Sequence, residues 1–406
     1  MQTWKNPLLL ISGIGVSNLG NWIYFVAINL LILDLTGSPA AVAGLFIIRP
    51  LAVLVTNTWS GSLIDRMNNR HLMIITDVVR GILIGCIPFI NSLWGIYVLM
   101  FIVNIAGSLF GPSSTTYMTK LVPPEKRKRF NSIFSFTSSG AFLVGPSISG
   151  LLIMYTSIDV CIFINAISFI VCALIIYYLP NVDNQTEGKR ERITLAHVSQ
   201  DWKSVLHFSK TAGYFSFIYL LFQIATLIGF ALDSQEATFI KGVIGLTERD
   251  YGLLLSIAGG AYLAGSSAAT LVANKISLRM FIGLGMILTA GGYFVFYSSS
   301  TLFLAAVGFI IFGVFSAFAN TGYMTFFQNN VPINMMGRFS STTNLIQAII
   351  QIVFTLMLGF LAEILSLQFI CLVFSGISIV ISIVLCIFVY RPAKIHYYEL
   401  SEVSKA

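Results

Sequence analysis

The sequence predicts an all-α membrane protein with twelve transmembrane helices in two pseudo-symmetric six-helix bundles. Three observations predict it: apolar runs long enough to cross a bilayer, a one-sided distribution of Lys and Arg between them, and a repeat relating the two halves. Of 406 residues, 56% are hydrophobic and 10% charged, whereas a soluble domain carries about 25% charged residues. An apolar run of about 20 residues crosses a hydrocarbon core of roughly 30 Å. Lipid offers no partner to backbone N–H and C=O groups, so each run must pair them internally as a helix. The period-two alternation of membrane barrels is absent.

The spans run over 8–33, 41–63, 71–90, 94–118, 131–155 and 158–179, then 213–240, 250–273, 277–297, 301–327, 339–364 and 367–390. They divide the chain into a first bundle (1–180), a polar linker (181–212), a second bundle (213–390) and a tail (391–406). Segment 1–7 is short and the run behind it exceeds a signal h-region, so no cleavable leader is expected. Nineteen of the 23 Lys and Arg residues fall on one side of the spans, two (Lys241 and Arg249) on the other, and Arg49 and Arg80 within spans. Positive charge marks the cytoplasmic side. A multi-pass protein of the cell (plasma or inner) membrane is therefore expected, with both termini and the linker cytoplasmic. The net charge of +7 reads as a topological device that also meets anionic membrane lipid, and no nucleic-acid partner is expected.

Shifting the second half back by 209 residues places Asn274-Lys275 on Asp65-Arg66, Arg279 on Arg70, Pro332 on Pro123, Arg338-Phe339 on Arg129-Phe130, Ser341 on Ser132 and Gly359 on Gly150. Parallel repeats of this kind are a transporter architecture, with the substrate site between the halves near the midplane.

Along the chain, span 1 carries Asn18, Asn21, Phe25 and Asn29 at spacings of three and four, hence on one helical face. Amides and aromatics together suit a ligand part apolar and part polar; interhelical hydrogen bonding is the alternative use of these amides. Phe318, Asn320 and Tyr323 in span 10, with Asn344 and Gln347 in span 11, are the corresponding candidates in the second half. Arg49 lies in span 2. Asp77 and Arg80 stand three apart in span 3 and can pair on one face, as a brace or in coupling. Leu195, Val198, Trp202 and Val205 give the linker a helical apolar stripe, suiting either a helix on the membrane surface or a plain connection. Asp233 and Glu236 lie in span 7, about 10 Å and 6 Å below its outer end, and Arg49 about 12 Å below its own. Charges at such depth are costly and mark functional sites. Asp34 and Glu363 sit near outer helix ends, where solvation accounts for them.

The loop after span 2 reads Gly61-Ser-Leu-Ile-Asp65-Arg66-Met-Asn-Asn-Arg70. It resembles the signature of the major facilitator superfamily, G-x-x-x-D-(R/K)-x-G-x-(R/K)-(R/K), with Asn68 in place of the second Gly and Asn69 in place of a basic residue. In that family the Asp faces the start of helix 11, here near Arg338 to Ser341. Gly140, Gly145, Pro146 and Gly150 in span 5 resemble the superfamily's antiporter motif, whose small residues let helix 5 touch helix 8; Gly259, Gly260, Ala264, Gly265 and Ala268 are the expected facing surface. Leu35-Thr36-Gly37-Ser38, Asp77-x-x-Arg80 and Ala231-Leu232-Asp233-Ser234-Gln235-Glu236 resemble the branch containing macrolide-efflux proteins and the bacilysin and enterobactin exporters. The resemblance covers nearly the whole chain. It implies the major facilitator fold, usually monomeric, and export of an antibiotic, drug or amphipathic metabolite driven by proton entry. It also implies an outer gate made by helices 1, 2, 7 and 8; the matched depths point to Arg49 pairing there with Asp233 or Glu236, with snorkelling to the interface or solvation in the cavity as the alternatives. Burial and a neighbouring cation act in opposite senses on a carboxylate, so such a gate can switch with conformation.

No catalytic constellation appears. The five cysteines lie inside apolar runs at no metal-like spacing, the four histidines lie at or beyond the boundaries assigned to the cytoplasm, and no Walker A string exists. The expectation is a transporter rather than an enzyme, with no cofactor or metal and with protons as its energy source. Import of a small metabolite, and a transporter-like receptor or scaffold without flux, are the alternatives.

Overall fold

A computed structural model of the chain describes residues 4–56, 67–182, 195–273 and 275–398. Among the described residues every regular element is helical. Twelve helices are long and apolar enough to cross a membrane: α1 (Lys5–Thr36), α2 (Pro39–Thr56), α3 (Asn69–Cys86), α4 (Leu93–Leu121), α5 (Pro124–Tyr155), α6 (Ile158–Tyr178), α7 (Gly213–Asp233), α8 (Glu248–Val272), α9 (Leu278–Tyr297), α10 (Leu302–Asn330), α11 (Ile333–Ile364) and α12 (Leu367–Val389). The chain is a multi-pass membrane protein. Large apolar side chains such as Phe136, Ile167, Phe360 and Val380 stand exposed on its helices, as contact with lipid requires.

The chain forms two units, one of residues 1–192 with Thr247–Ser256, the other of 193–246 with 257–406. The repeat reaches into their details. Asn68, Ser92 and Ser157 cap the N-termini of α3, α4 and α6, each side-chain oxygen accepting from the backbone N–H three residues on. Ser277, Thr301 and Ser366, each 209 residues later, do the same for α9, α10 and α12. Such caps supply partners to donors that the first helical turn leaves free. Tyr117 and Phe130 are buried together in the first unit, and Phe326 and Phe339 in the second, again 209 apart.

Apolar helices gain little by leaving lipid for one another, so close approach and polar contacts hold them. In the first unit Gly20 brings α1 against Asn165 and Ser168 of α6, and Gly81 brings α3 against the Ala166 carbonyl. In the second, Gly292 of α9 meets the backbone of Phe312, and Gly308 of α10 meets that of Phe296; a Cβ at either would stand 2.5 and 2.6 Å from the facing nitrogen. These contacts are to backbone atoms, so no rotamer change relieves an added side chain.

One feature differs from the sequence expectation and two add to it. Span 7 ends at Asp233 rather than running on to residue 240. A turn at Ser234–Gln235 leads into a short helix (Glu236–Thr238) and a π-helix (Phe239–Ile244), closed by Gly245 at φ 76°. The linker forms a helix, Leu195–Thr211, whose Val205 is buried and whose Phe208 ring packs on Phe215 and Phe339. The tail does not leave the bundle at residue 390. A turn at Pro392–Tyr397 folds back and buries Tyr398 against Phe326.

Candidate functional site

In the first unit α3 holds the charged pair. Arg80 Nη1 donates to Asp77 Oδ1 at 3.3 Å, and Asp77 is 0% exposed. The guanidinium lies over the Phe169 ring, 3.8 Å from its centroid, and 5.9 Å from that of Phe110. Gly107 of α4 faces it, and a Cβ there would meet Arg80 Nε at 3.8 Å, an ordinary contact. A cation stacked on rings gains from their quadrupole, which offsets part of the cost of desolvating the pair. Asp77 Oδ2 and Arg80 Nε have no hydrogen-bond partner among the described residues. The pair thus links α3 to α6 through the Phe169 ring and to α4 through that of Phe110.

Of the signature loop, Gly61, Asp65 and Arg66 lie outside the described residues, as do the side chains of Arg338 and Ser341. Arg70 is described: its Nε donates to the Ile176 carbonyl at 3.2 Å and its Nη2 to that of Tyr177. A cation there suits the carbonyl end of α6, whose Ile176 carbonyl also accepts from Leu179 N at 3.1 Å. Asn68, a departure from the signature, caps α3 and donates to Asn181 Oδ1 at 2.8 Å.

The motif glycines of α5 have different surroundings. A Cβ at Gly145 would stand 2.5 Å from Trp22 Cβ, and at Gly150 3.0 Å from Arg249 Cα; at Gly140 it would meet nothing within 4 Å. The part of α8 that meets α5 is Gly252, against the Pro146 carbonyl, and Ser256, whose Oγ accepts from Ser147 N at 2.9 Å. Gly265, expected on that surface, packs instead on Val314 of α10.

On α1, Asn18 Nδ2 donates to Ser138 Oγ at 3.2 Å. Asn21 is half-buried, and Phe25 packs edge-on to Trp22 and Phe46. Asn29 is 1% exposed and donates to its own helix at the Phe25 carbonyl, which sets it in the packed interior. Arg49 is exposed on α2.

In the second unit, Asp233 at the end of α7 accepts from the Tyr293 hydroxyl at 2.6 Å, and Tyr297, one turn on along α9, donates to the Leu232 carbonyl at 2.5 Å. Glu236 is 6% exposed and close enough to Asp233 for the two carboxylates to repel. Among the described residues of this unit no cation pairs with either. The π-helix that follows is the kind of local irregularity that recurs at functional sites. A second polar group joins α7, α10 and α11: Gln223 Nε2 donates to Tyr323 OH and Gln347 Nε2 to Tyr219 OH, both at 2.8 Å, while Tyr323 stacks on Phe222. Phe318 packs on Phe281 of α9 and lies apart from this group. Asn320 and Asn344 are exposed.

Tyr219, Gln223, Tyr293 and Tyr297 were not singled out from sequence. Their signal was present: each pair stands four apart in an otherwise apolar span and so shares a face.

Twelve helices among the described residues that can cross a membrane, in two units of which one buries Asp77 beside Arg80 and the other Glu236 near Asp233, fit a multi-pass membrane transporter. A sequence profile of the Major Facilitator Superfamily matches residues 10–355 and 236–402, and the chain belongs to that family. It is 26% identical over 348 residues to the uncharacterized MFS-type transporter YfiS of Bacillus subtilis, covering 82% of this chain and 81% of that protein. It is 25% identical over 199 residues to the multidrug resistance protein MdtH of Salmonella arizonae, covering 48% of this chain and 49% of that one. Among solved structures, the nucleoside transporter NupG superposes with a TM-score of 0.72 at 14% identity, over 96% of this chain and 100% of the other. A D-xylose–proton symporter gives 0.70 at 12% identity, over 96% and 98%. These two likenesses speak to the fold.

Proposed function

We propose that this transporter exports a small amphipathic compound in exchange for protons. The observation that carries the reading is the Asp233–Glu236 pair: two neighbouring carboxylates, one buried, one held by a tyrosine, with no cation on them among the described residues of their own unit. Two like charges at such a place repel in a medium that screens poorly, and a proton shared between them relieves that. A proton arriving from outside can therefore bind here and change what the end of α7 holds. The matched depths of Arg49, Asp233 and Glu236 in the sequence make Arg49 the proposed counter-charge. Similarity to MdtH supports drug-like cargo, and the α5 glycines support antiport. The half-buried amides and rings on α1 in the first unit, and separately the Tyr219–Gln223–Tyr323–Gln347 group in the second, are the residues proposed to meet cargo.

The test is growth of a strain lacking its main efflux pumps, expressing the chain or its Asp233→Asn variant, across a panel of antibiotics and peptides. Resistance that disappears in the variant and on collapsing the proton gradient supports the proposal. Heightened sensitivity points to import. No change across the panel, with ligand binding but no flux in proteoliposomes, points to a receptor. Exchanging charges (Arg49→Asp with Asp233→Arg) is expected to restore part of the activity that either change alone removes. If it restores none, and both carboxylates can be neutralised without loss, the pairing is wrong.

A further inference from the structure

Three cations gather at one end of the second unit. Arg279 stands in the first turn of α9, its guanidinium 5.6 Å from the Tyr390 ring centroid. Arg391 follows α12 and lies 3.9 Å from the centroid of Phe388. Lys394, in the turn of the tail, holds its Nζ 5.5 Å from the Tyr214 ring and 5.9 Å from that of Tyr397. Arg391 and Lys394 flank the contact of Tyr214 with Phe388, and Arg279 reaches the same end of α12 at Tyr390, so the three surround one cluster of rings. None forms an ion pair with a described carboxylate.

The rings are fixed. Tyr214 donates to the Phe388 carbonyl at 2.9 Å and shares a 2.8 Å hydrogen bond with Tyr398. Asn330 Nδ2 donates to the Tyr397 carbonyl at 3.0 Å, and Tyr398 stacks on Phe326. The tail is thus strapped across the ends of α7, α10 and α12, and the cations are held by aromatic faces rather than by described acids. Three like charges kept together in this way repel one another, which calls for an anion. In the next turns, Leu284 of α9 and Ile387 of α12 are exposed and apolar.

We propose that Arg279, Arg391 and Lys394 hold the phosphate of an anionic phospholipid, its acyl chains lying along the exposed sides of α9 and α12. The site goes beyond the export reading and is independent of it; it requires only that this end of the bundle meet a membrane surface. Free phosphate would engage the cations but leave the apolar flank unused.

The experiment titrates the purified full chain in detergent with phosphatidylglycerol or phosphatidylcholine and follows the melting temperature. Two triple variants are compared: Arg279→Gln/Arg391→Gln/Lys394→Gln, and a control of equal charge, Lys5→Gln/Lys203→Gln/Lys210→Gln, at exposed positions. Phosphatidylglycerol is expected to raise the melting temperature of the wild type and the control alike. Each cation near a membrane surface contributes about fivefold in affinity for anionic lipid, so the patch variant should need at least about tenfold more lipid for half the effect. The single variants Arg391→Gln and Lys394→Gln, less disruptive to folding, should each need roughly fivefold more. Equal losses in the two triple variants, equal stabilisation by phosphatidylcholine, or the same stabilisation by millimolar inorganic phosphate would each overturn the proposal.

Discussion

Changing the three glycines of α5 to alanine one at a time separates close packing from motif membership. Each change adds one methyl and the same gain in helix propensity, about 1 kcal/mol in a soluble helix, and that gain cancels when the variants are compared. At 140 the methyl meets open space. At 145 it arrives 2.5 Å from Trp22 Cβ, an atom that no rotamer change moves, where ordinary contact begins at 3.4 Å. Helices α1 and α5 must then part by about 0.9 Å, and overpacking of this kind costs about 1–3 kcal/mol. At 150 the shortfall against Arg249 Cα is smaller, about 0.4 Å, and the cost falls toward the lower end of that range. With about 2–4 °C of melting temperature per kcal/mol in units of this size, Gly145→Ala is expected to melt roughly 2–12 °C below Gly140→Ala, with Gly150→Ala between. Fluorescence-detected size-exclusion melting of detergent-solubilised protein measures this directly. Equal melting of the three, or Gly140→Ala as the least stable, would refute the packing argument.

Arg80→Met leaves a buried carboxylate without its cation and is expected to cost about 3–5 kcal/mol; Asp77→Asn with Arg80→Met should recover most of it, as read by thermal melting of the purified variants, and a double variant no better than the single would deny the pair its bracing role. Ser157→Ala and Ser366→Ala each remove one cap and should each cost about 1 kcal/mol, with losses matching between the repeats on the same melting assay; a loss at only one of them would mean that α6 and α12 do not begin alike.

The spans were legible because a bilayer imposes length and apolarity on every crossing helix, and few sequences satisfy both by accident. What sequence could not supply was the partner of each polar group. Asn18 and Asn29 share a face of α1, yet one reaches Ser138 on α5 while the other turns back to its own backbone. The choice depends on which neighbouring helix stands within reach. Tyr293 does not stand out in an aromatic-rich span until the end of α7 brings Asp233 to it. The break at Asp233 was hidden by the apolar residues beyond it, which hydropathy counts as more span. The linker stripe fitted a surface helix or a plain connection equally, and periodicity alone could not show that Phe208 packs on Phe215 and Phe339.

The matched caps carry a consequence for how the two halves have diverged. Positions that start helices agree across the offset of 209, while the positions that carry buried charge do not. Asp77 and Arg80 correspond to Met286 and Thr289, and Asp233 and Glu236 to Tyr24 and Ala27. The architecture is therefore written twice and the chemistry once in each copy, at different places. The frame repeats across the offset, but a transported molecule meets unlike side chains in each half.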